Sequence, residues 1–187
     1  MENVILEKIL MTGRLILPRR RLFRHYAGVL LLLFLSIFLI TFIAVKSVDL
    51  NFVFKTPMLI FLIFPLFTIT AFINKYVALN LKTFETVLSK ADNYSIAKDA
   101  IKTLKWKIRI DNKGFIEAFN DYTSFGRTTG EDMISIIITD NKILINSIGN
   151  VDGVSDWQVA FSFGKHTENI NKFLAAFEIL SQFKVVK

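Results

Sequence analysis

YAGVLLLLFLSIFLITFIAV, residues Tyr26 to Val45, is a run of 20 residues without a formal charge. At about 1.5 Å per helical residue it spans roughly 30 Å, the thickness of the hydrocarbon core of a bilayer. Fourteen of the 20 are Leu, Ile, Phe or Val, so at roughly 0.3 to 0.6 kcal/mol each, insertion gains about 4 to 8 kcal/mol. A cleavable signal peptide has a shorter apolar region ending in small residues, whereas this run ends Ile43-Ala44-Val45-Lys46. The expectation is a retained transmembrane helix.

A second uncharged stretch follows at 56–74 (TPMLIFLIFPLFTITAFIN), with eleven residues of the same four types. Pro65 at its middle removes a backbone donor, so a kink is expected, with Thr68 nearby to compensate. The loop between, 46–55 (KSVDLNFVFK), is too short to fold alone. Basic residues set the orientation. Arg14, Arg19, Arg20, Arg21 and Arg24 precede the first span and Lys75, Lys82 and Lys90 follow the second, against Lys46 and Lys55 between them. The positive-inside rule then places both termini in the cytoplasm of a multi-pass protein of the cell (inner) membrane. Neither span holds an ionisable side chain, which favours an anchor over a transport pathway.

The rest of the composition agrees with this division. The chain has 187 residues, is 52% hydrophobic and has a mean hydropathy of +0.46. Residues 1–74 carry 8 Lys/Arg against 3 Asp/Glu, while 75–187 carry 15 against 13. The basic excess belongs mainly to the membrane part, so a pI near 9.6 does not imply nucleic-acid binding. Cysteine is absent, which excludes disulfides, thiolate nucleophiles and cysteine-based metal sites.

Residues 1–25 form a basic juxtamembrane segment. Within it Arg19, Arg20, Arg21 and Arg24 are candidate contacts to anionic lipid headgroups, at about 1 kcal/mol per charge near the surface. Residues 4–17 (VILEKILMTGRLIL) are apolar enough to lie on the membrane or pack on the C-terminal domain, with Gly13 interrupting any helix.

Beyond the second span, Val77, Leu81, Phe84 and Leu88 recur at helical spacing, predicting an amphipathic connector helix over 75–94. Ser95 is then a candidate cap for a helix SIAKDAIKTLKW that opens an α+β domain over 95–187. Two hairpins follow. KIRID (107–111) and FIEAF (115–119) flank a turn at 112–114, with Ile108 and Ile110 on one face. MISIIIT (133–139) and KILINSI (142–148) flank Asp140-Asn141, a pair suited to positive backbone angles. WQVAFSF (157–163) is a candidate fifth strand, and Thr167 with Ile170, Phe173, Leu174, Phe177 and Leu180 marks a C-terminal helix. The expected architecture is a membrane α-helical hairpin plus an α+β domain, a two-layer sandwich of an antiparallel sheet and two or three helices.

No nucleotide-binding glycine loop, zinc-protease, nucleophile-elbow or EF-hand motif is present. His25 lies among arginines whose field disfavours a base. The remaining candidate ligand or partner contacts are Arg127, in the hydroxyl-rich stretch 122–130 (YTSFGRTTG) that suits an anion-holding loop, then Asp152 and Asp156 in NVDGVSD, and His166. No catalytic residue, metal site or cofactor is expected.

The arrangement resembles small bacterial inner-membrane proteins of unknown function that carry an α-β-β-β-β-α cytoplasmic domain behind a two-helix hairpin. The runs INSIGNVDGVSDW and FGKHTENINKF resemble an uncharacterised bacterial domain family in which a strand ending in Arg-Ser leads to an Asp-bearing loop and an Asn-rich helix start. Ser147, Asp156, Asn169 and Asn171 are the counterparts, and Asn146 stands where that family has arginine. The resemblance implies architecture more than activity. Three functions follow as expectations. The first is a non-catalytic anchored module that binds a protein partner or the membrane surface. The others are an oligomeric helper such as an immunity or regulatory subunit, and a small-ligand binder or enzyme using residues 150–166.

Overall fold

The computed structural model describes residues 3–46, 58–124, 127–152 and 165–185. Among them are five helices, α1 (Asn3–Thr12), α2 (Arg19–Lys46), α3 (Met58–Ala78), α4 (Lys90–Thr103) and α5 (Lys165–Val185). Five strands, β1 (Lys82–Glu85), β2 (Lys107–Asn112), β3 (Phe115–Ser124), β4 (Arg127–Thr139) and β5 (Lys142–Gly149), form one antiparallel sheet in the order β1-β5-β4-β3-β2. The fold is α+β.

The register sorts side chains onto two faces. On face A, Ile116, Ala118, Ile134, Ile136, Ile138, Ile143 and Ile145 meet Ile96, Ala100 and Ile101 of α4 and Phe173 and Phe177 of α5. This is the main core, where Trp106 stacks on Phe173 at 6.2 Å between ring centroids. On face B, Phe115, Ile137 and Leu144 are covered by Ile9 of α1, with Ile5, Leu6 and Leu10 beside it. Leu15 and Leu17 cover Met133 and Ile148.

The expected two-layer sandwich is therefore corrected to three layers, because residues 3–18 cover the second face. The physical reason lies in the central strand. From Met133 to Ile138 every residue is buried, and a strand buried on both faces needs cover on both. Gly13, at φ +63°, ends α1 as the sequence suggests. The chain then runs beside residues 79–81, with Leu15 N donating to Leu79 O (2.8 Å) and Leu81 N to Gly13 O (2.9 Å).

The connector helix over 75–94 is also corrected. Helix α3 stops at Ala78, β1 pairs with β5 from Lys82↔Ile145 to Glu85↔Lys142, and α4 starts at Lys90. Its cap is Ser89 rather than Ser95, with Ser89 Oγ accepting from Asp92 N. The 4-3-4 spacing of Val77, Leu81, Phe84 and Leu88 fits a helix. The edge of β5, however, offers Thr83 and Phe84 backbone partners that a helix there would leave unpaired.

Both expected turns are present, with Asn141 at φ +60°. A bulge at Arg109, between the pairs Ile108↔Ala118 and Ile110↔Glu117, puts Ile108 and Ile110 on opposite faces instead of one. The stretch 122–130 is also corrected. Residues 122–124 and 127–130 are strand rather than loop, the end of the β3–β4 hairpin, paired Tyr122↔Gly130, Thr123↔Thr128 and Ser124↔Arg127. The strand expected at 157–163 lies outside the described residues.

Helices α2 and α3 pack side by side. Val29, Ser36, Thr68 and Ala71 are buried, with Ser36 Oγ 3.0 Å from Thr68 Oγ1 and Tyr26 5.6 Å from Phe72 between ring centroids. Small and hydroxyl side chains at such a seam let two backbones approach. Pro65 lies inside α3, and Thr68 Oγ1 donates to Phe64 O at 2.8 Å. Within α2, Arg19–Phe42 is long and apolar enough to cross a membrane, its most apolar stretch having a mean hydropathy of 2.2 with 17% of it buried. It is the only such helix among the described residues. Over the described side chains of α3, Ile63–Ala78 is a shorter apolar stretch.

Candidate functional site

The two helices enter the domain on face B, across a row of polar side chains that the strand register lines up. Glu117 on β3 stands opposite Ser135 on β4, which stands opposite Asn146 on β5. All three are buried, at 2%, 1% and 2% exposure. Apolar rows flank them, Phe115–Ile137–Leu144 on one side and Phe119–Met133–Ile148 on the other. Buried polar groups are costly unless paired, so the partners of each decide what the row does.

Asn146 holds the end of α3. Its Nδ2 donates to Ala78 O and Asn80 O, each at 2.7 Å, supplying donors to carbonyls where the helix ends. Arg14 reaches the same helix end. Its Nη2 donates to Tyr76 O at 2.8 Å, and its guanidinium lies 3.5 Å from the Tyr76 ring centroid, a cation–π distance.

Glu117 holds the start of α2. Its Oε2 accepts from Arg21 Nη1 at 2.9 Å, and its Oε1 pairs with Arg109. Asp152 joins the cluster by accepting from Arg21 Nη2 (2.6 Å) and Nε (3.2 Å) as a bidentate fork and by pairing with Arg109. The bulge in β2 brings Arg109 here, with its guanidinium 4.9 Å from the Phe119 ring centroid. Arg24 Nη1 donates to Val151 O and Asp152 O, each at 3.4 Å. Two guanidiniums thus balance two carboxylates. Burial pushes the Glu117 carboxyl above its ordinary range, while its bond and charge pairing with Arg109 pull it back. A third tie joins the helices themselves, since buried His25 has its Nε2 3.0 Å from Lys75 O.

Ser135, between Glu117 and Asn146, has no partner for its Oγ. It faces a cavity of about 480 Å³ bounded by Ile5, Ile16, Phe115 and Met133, with Arg21, Glu117 and Ser135 at its polar side.

A second polar cluster lies on face A. Asn169 of α5 donates through Nδ2 to Asp132 Oδ2 (2.7 Å) and Ser147 Oγ (3.2 Å), and its Oδ1 accepts from Asn120 Nδ2 (2.8 Å). His166 Nδ1 lies 3.5 Å from Asp132 Oδ1. This cluster fastens the start of α5 to three strands.

The residues singled out by sequence therefore divide. Asp152, Arg21 and Arg24 meet on face B, where Arg21 is spent on carboxylates of the domain. Arg19 and Arg20 are exposed. His166 stands with Asp132 on face A, so it shares no site with Asp152. Arg127 is the first residue of β4, and Asp156 lies outside the described residues. Ser147 and Asn169 touch, while Asn171 accepts from Lys82 Nζ at 3.3 Å. Glu117, Ser135 and Arg109 escaped the sequence reading, and Asn146 entered it only as the residue standing where the resembled family has arginine. For Glu117 and Ser135 the signal is a single polar residue inside an apolar run, as in FIEAF and MISIIIT. Among the described residues, no group of three or more His, Asp or Glu side chains is arranged to hold a metal. No family model matches this chain, and no curated protein matches it.

Proposed function

We propose that this chain is a membrane-anchored, non-catalytic module. Helices α2 and α3 cross the bilayer as a hairpin, and the α+β domain sits at the cytoplasmic face, where it binds a protein partner. The observation that carries the reading is the outer surface of the helix pair. Phe34, Ile37, Phe38, Ile40, Ile69 and Phe72 are 50% exposed or more, although the two helices already pack on each other. An apolar surface running round a helix pair has no stable place in water, and lipid supplies its solvent.

The polar row supports a firm join between anchor and domain. Arg21 on α2 is bound to Glu117, and the carbonyls of Ala78, which ends α3, and of Asn80 are bound to Asn146, two strands away in the same row of one sheet face, so the domain stands close to the headgroups. Exposed Arg19 and Arg20 then meet anionic lipid. On the far layer, Ile179 and Phe183 are 57% and 72% exposed one turn apart on α5, a feature that suits a protein contact.

The test uses the absence of cysteine, which makes single-cysteine labelling clean. Carbonate washing should leave the chain in the membrane pellet. An impermeant maleimide should label Asp49→Cys in intact spheroplasts and Asp140→Cys only after lysis. Release by carbonate, or Asp140→Cys labelled before lysis, overturns the reading.

A further inference from the structure

The cavity on face B has a definite chemistry. Its volume of about 480 Å³ falls within the roughly 300–1,000 Å³ usual for small-molecule sites. Most of its wall is hydrocarbon from α1, residues 15–18 and the sheet, and its polar groups converge on one side.

Two observations narrow the occupant. Charges at the polar side already balance, with Arg21 and Arg109 against Glu117 and Asp152, so an ionic headgroup would enter without a free counter-charge. Ser135 Oγ is buried there with no hydrogen-bond partner, a state that costs about 1 to 3 kcal/mol until something bonds to it. The site therefore asks for an uncharged hydrogen-bonding head and a hydrocarbon tail. Pro18 and Arg21, at the start of α2, form part of the lining, so the cavity lies where the apolar helix meets the domain.

We infer that this cavity binds an uncharged amphiphile, a molecule with a hydroxyl-bearing head placed at Ser135 and an alkyl tail running between Ile16 and Phe115. The inference rests on the membrane placement above only for the route by which the ligand arrives. Carbonate washing tests that placement, and the experiment below tests the cavity.

Full-length protein reconstituted in phosphatidylcholine vesicles is irradiated with a long-chain monoacylglycerol carrying a diazirine in its tail, and labelled peptides are mapped by mass spectrometry. The expected result is labelling of peptides containing Ile5–Leu17 or Phe115, reduced at least fivefold by Ser135→Ala and abolished by Ile16→Trp, which fills the space. The lysophosphatidate of the same chain should label these peptides at least fivefold less. Trypsin resistance of each variant is compared with the parent, and Ser135→Ala, which removes one oxygen, carries the test should Ile16→Trp lose its fold. Labelling confined to α2 and α3, equal labelling by the anionic probe, or labelling indifferent to Ser135→Ala overturns the inference.

Discussion

Replacing Arg21 with methionine keeps most of the side-chain length and removes the guanidinium that ties α2 to the sheet. Its bond to Glu117 Oε2 is charge-assisted and buried on the carboxylate side, where exposure is 3%, so its loss costs about 1.5 to 3 kcal/mol. Its fork on Asp152 is more solvated, the carboxylate being 33% exposed, and contributes about 0.2 to 1 kcal/mol. The sum is about 2 to 4 kcal/mol. For a chain of this length each kcal/mol moves the melting temperature by about 2 to 4 °C, so Arg21→Met should melt about 4 to 16 °C lower. The loss also depends on pH in a definite direction. Glu117 is already pushed above its ordinary value near 4.5 by burial, and removing a neighbouring cation raises it further. A carboxyl raised in the folded state binds its proton more tightly there than when unfolded. Stability therefore falls as pH rises from the unfolded value toward the folded one. The variant should lose more against the parent at pH 8 than at pH 5. The assay is thermal unfolding in detergent micelles, followed by tryptophan fluorescence with buried Trp106 as a reporter of the core. A loss under 2 °C, or one equal at the two pH values, would refute the role assigned to Arg21.

Asn146→Leu leaves Ala78 O and Asn80 O without their donor, so a loss of about 2 to 3 kcal/mol is expected, read as a lower melting temperature. Early hydrogen exchange at residues 79–81, where Leu81 N donates to Gly13 O, should accompany it. Ser89→Ala removes the acceptor for Asp92 N and should cost about 1 kcal/mol, visible in the same melt, whereas Ser95→Ala, inside α4, should cost less than half as much. Asp111 is held below its ordinary carboxyl value by its bonds to Lys98 and then to Tyr94. Its contribution is present above the unfolded value near 3.8 and is lost as pH falls through the folded one. Asp111→Asn should therefore melt lower at pH 7 and show a flatter melting curve against pH between 4 and 2.

What could be read directly in the chain was whatever is local. The run Tyr26–Val45 declares an apolar helix by length and composition. Asp140-Asn141 and the turn at 112–114 declare two hairpins, because a short turn and its flanking alternation sit within a dozen or so positions. The ladder from Ile170 to Leu180 declares the helix that covers face A. The edge strand β1 was misread because Thr83 and Phe84 are strand residues only by virtue of β5, some 60 positions away, while their own spacing suits a helix. The second cover of the sheet was one of two options for residues 4–17, since their apolarity serves a membrane surface and a protein core equally. Tertiary structure alone decided the candidate site. Glu117, Ser135 and Asn146 become a row only when three strands fall into register. Arg21 becomes a clamp only when it meets carboxylates 96 and 131 residues away. Periodicity records which way a side chain points, but the partner it reaches depends on how distant segments pack.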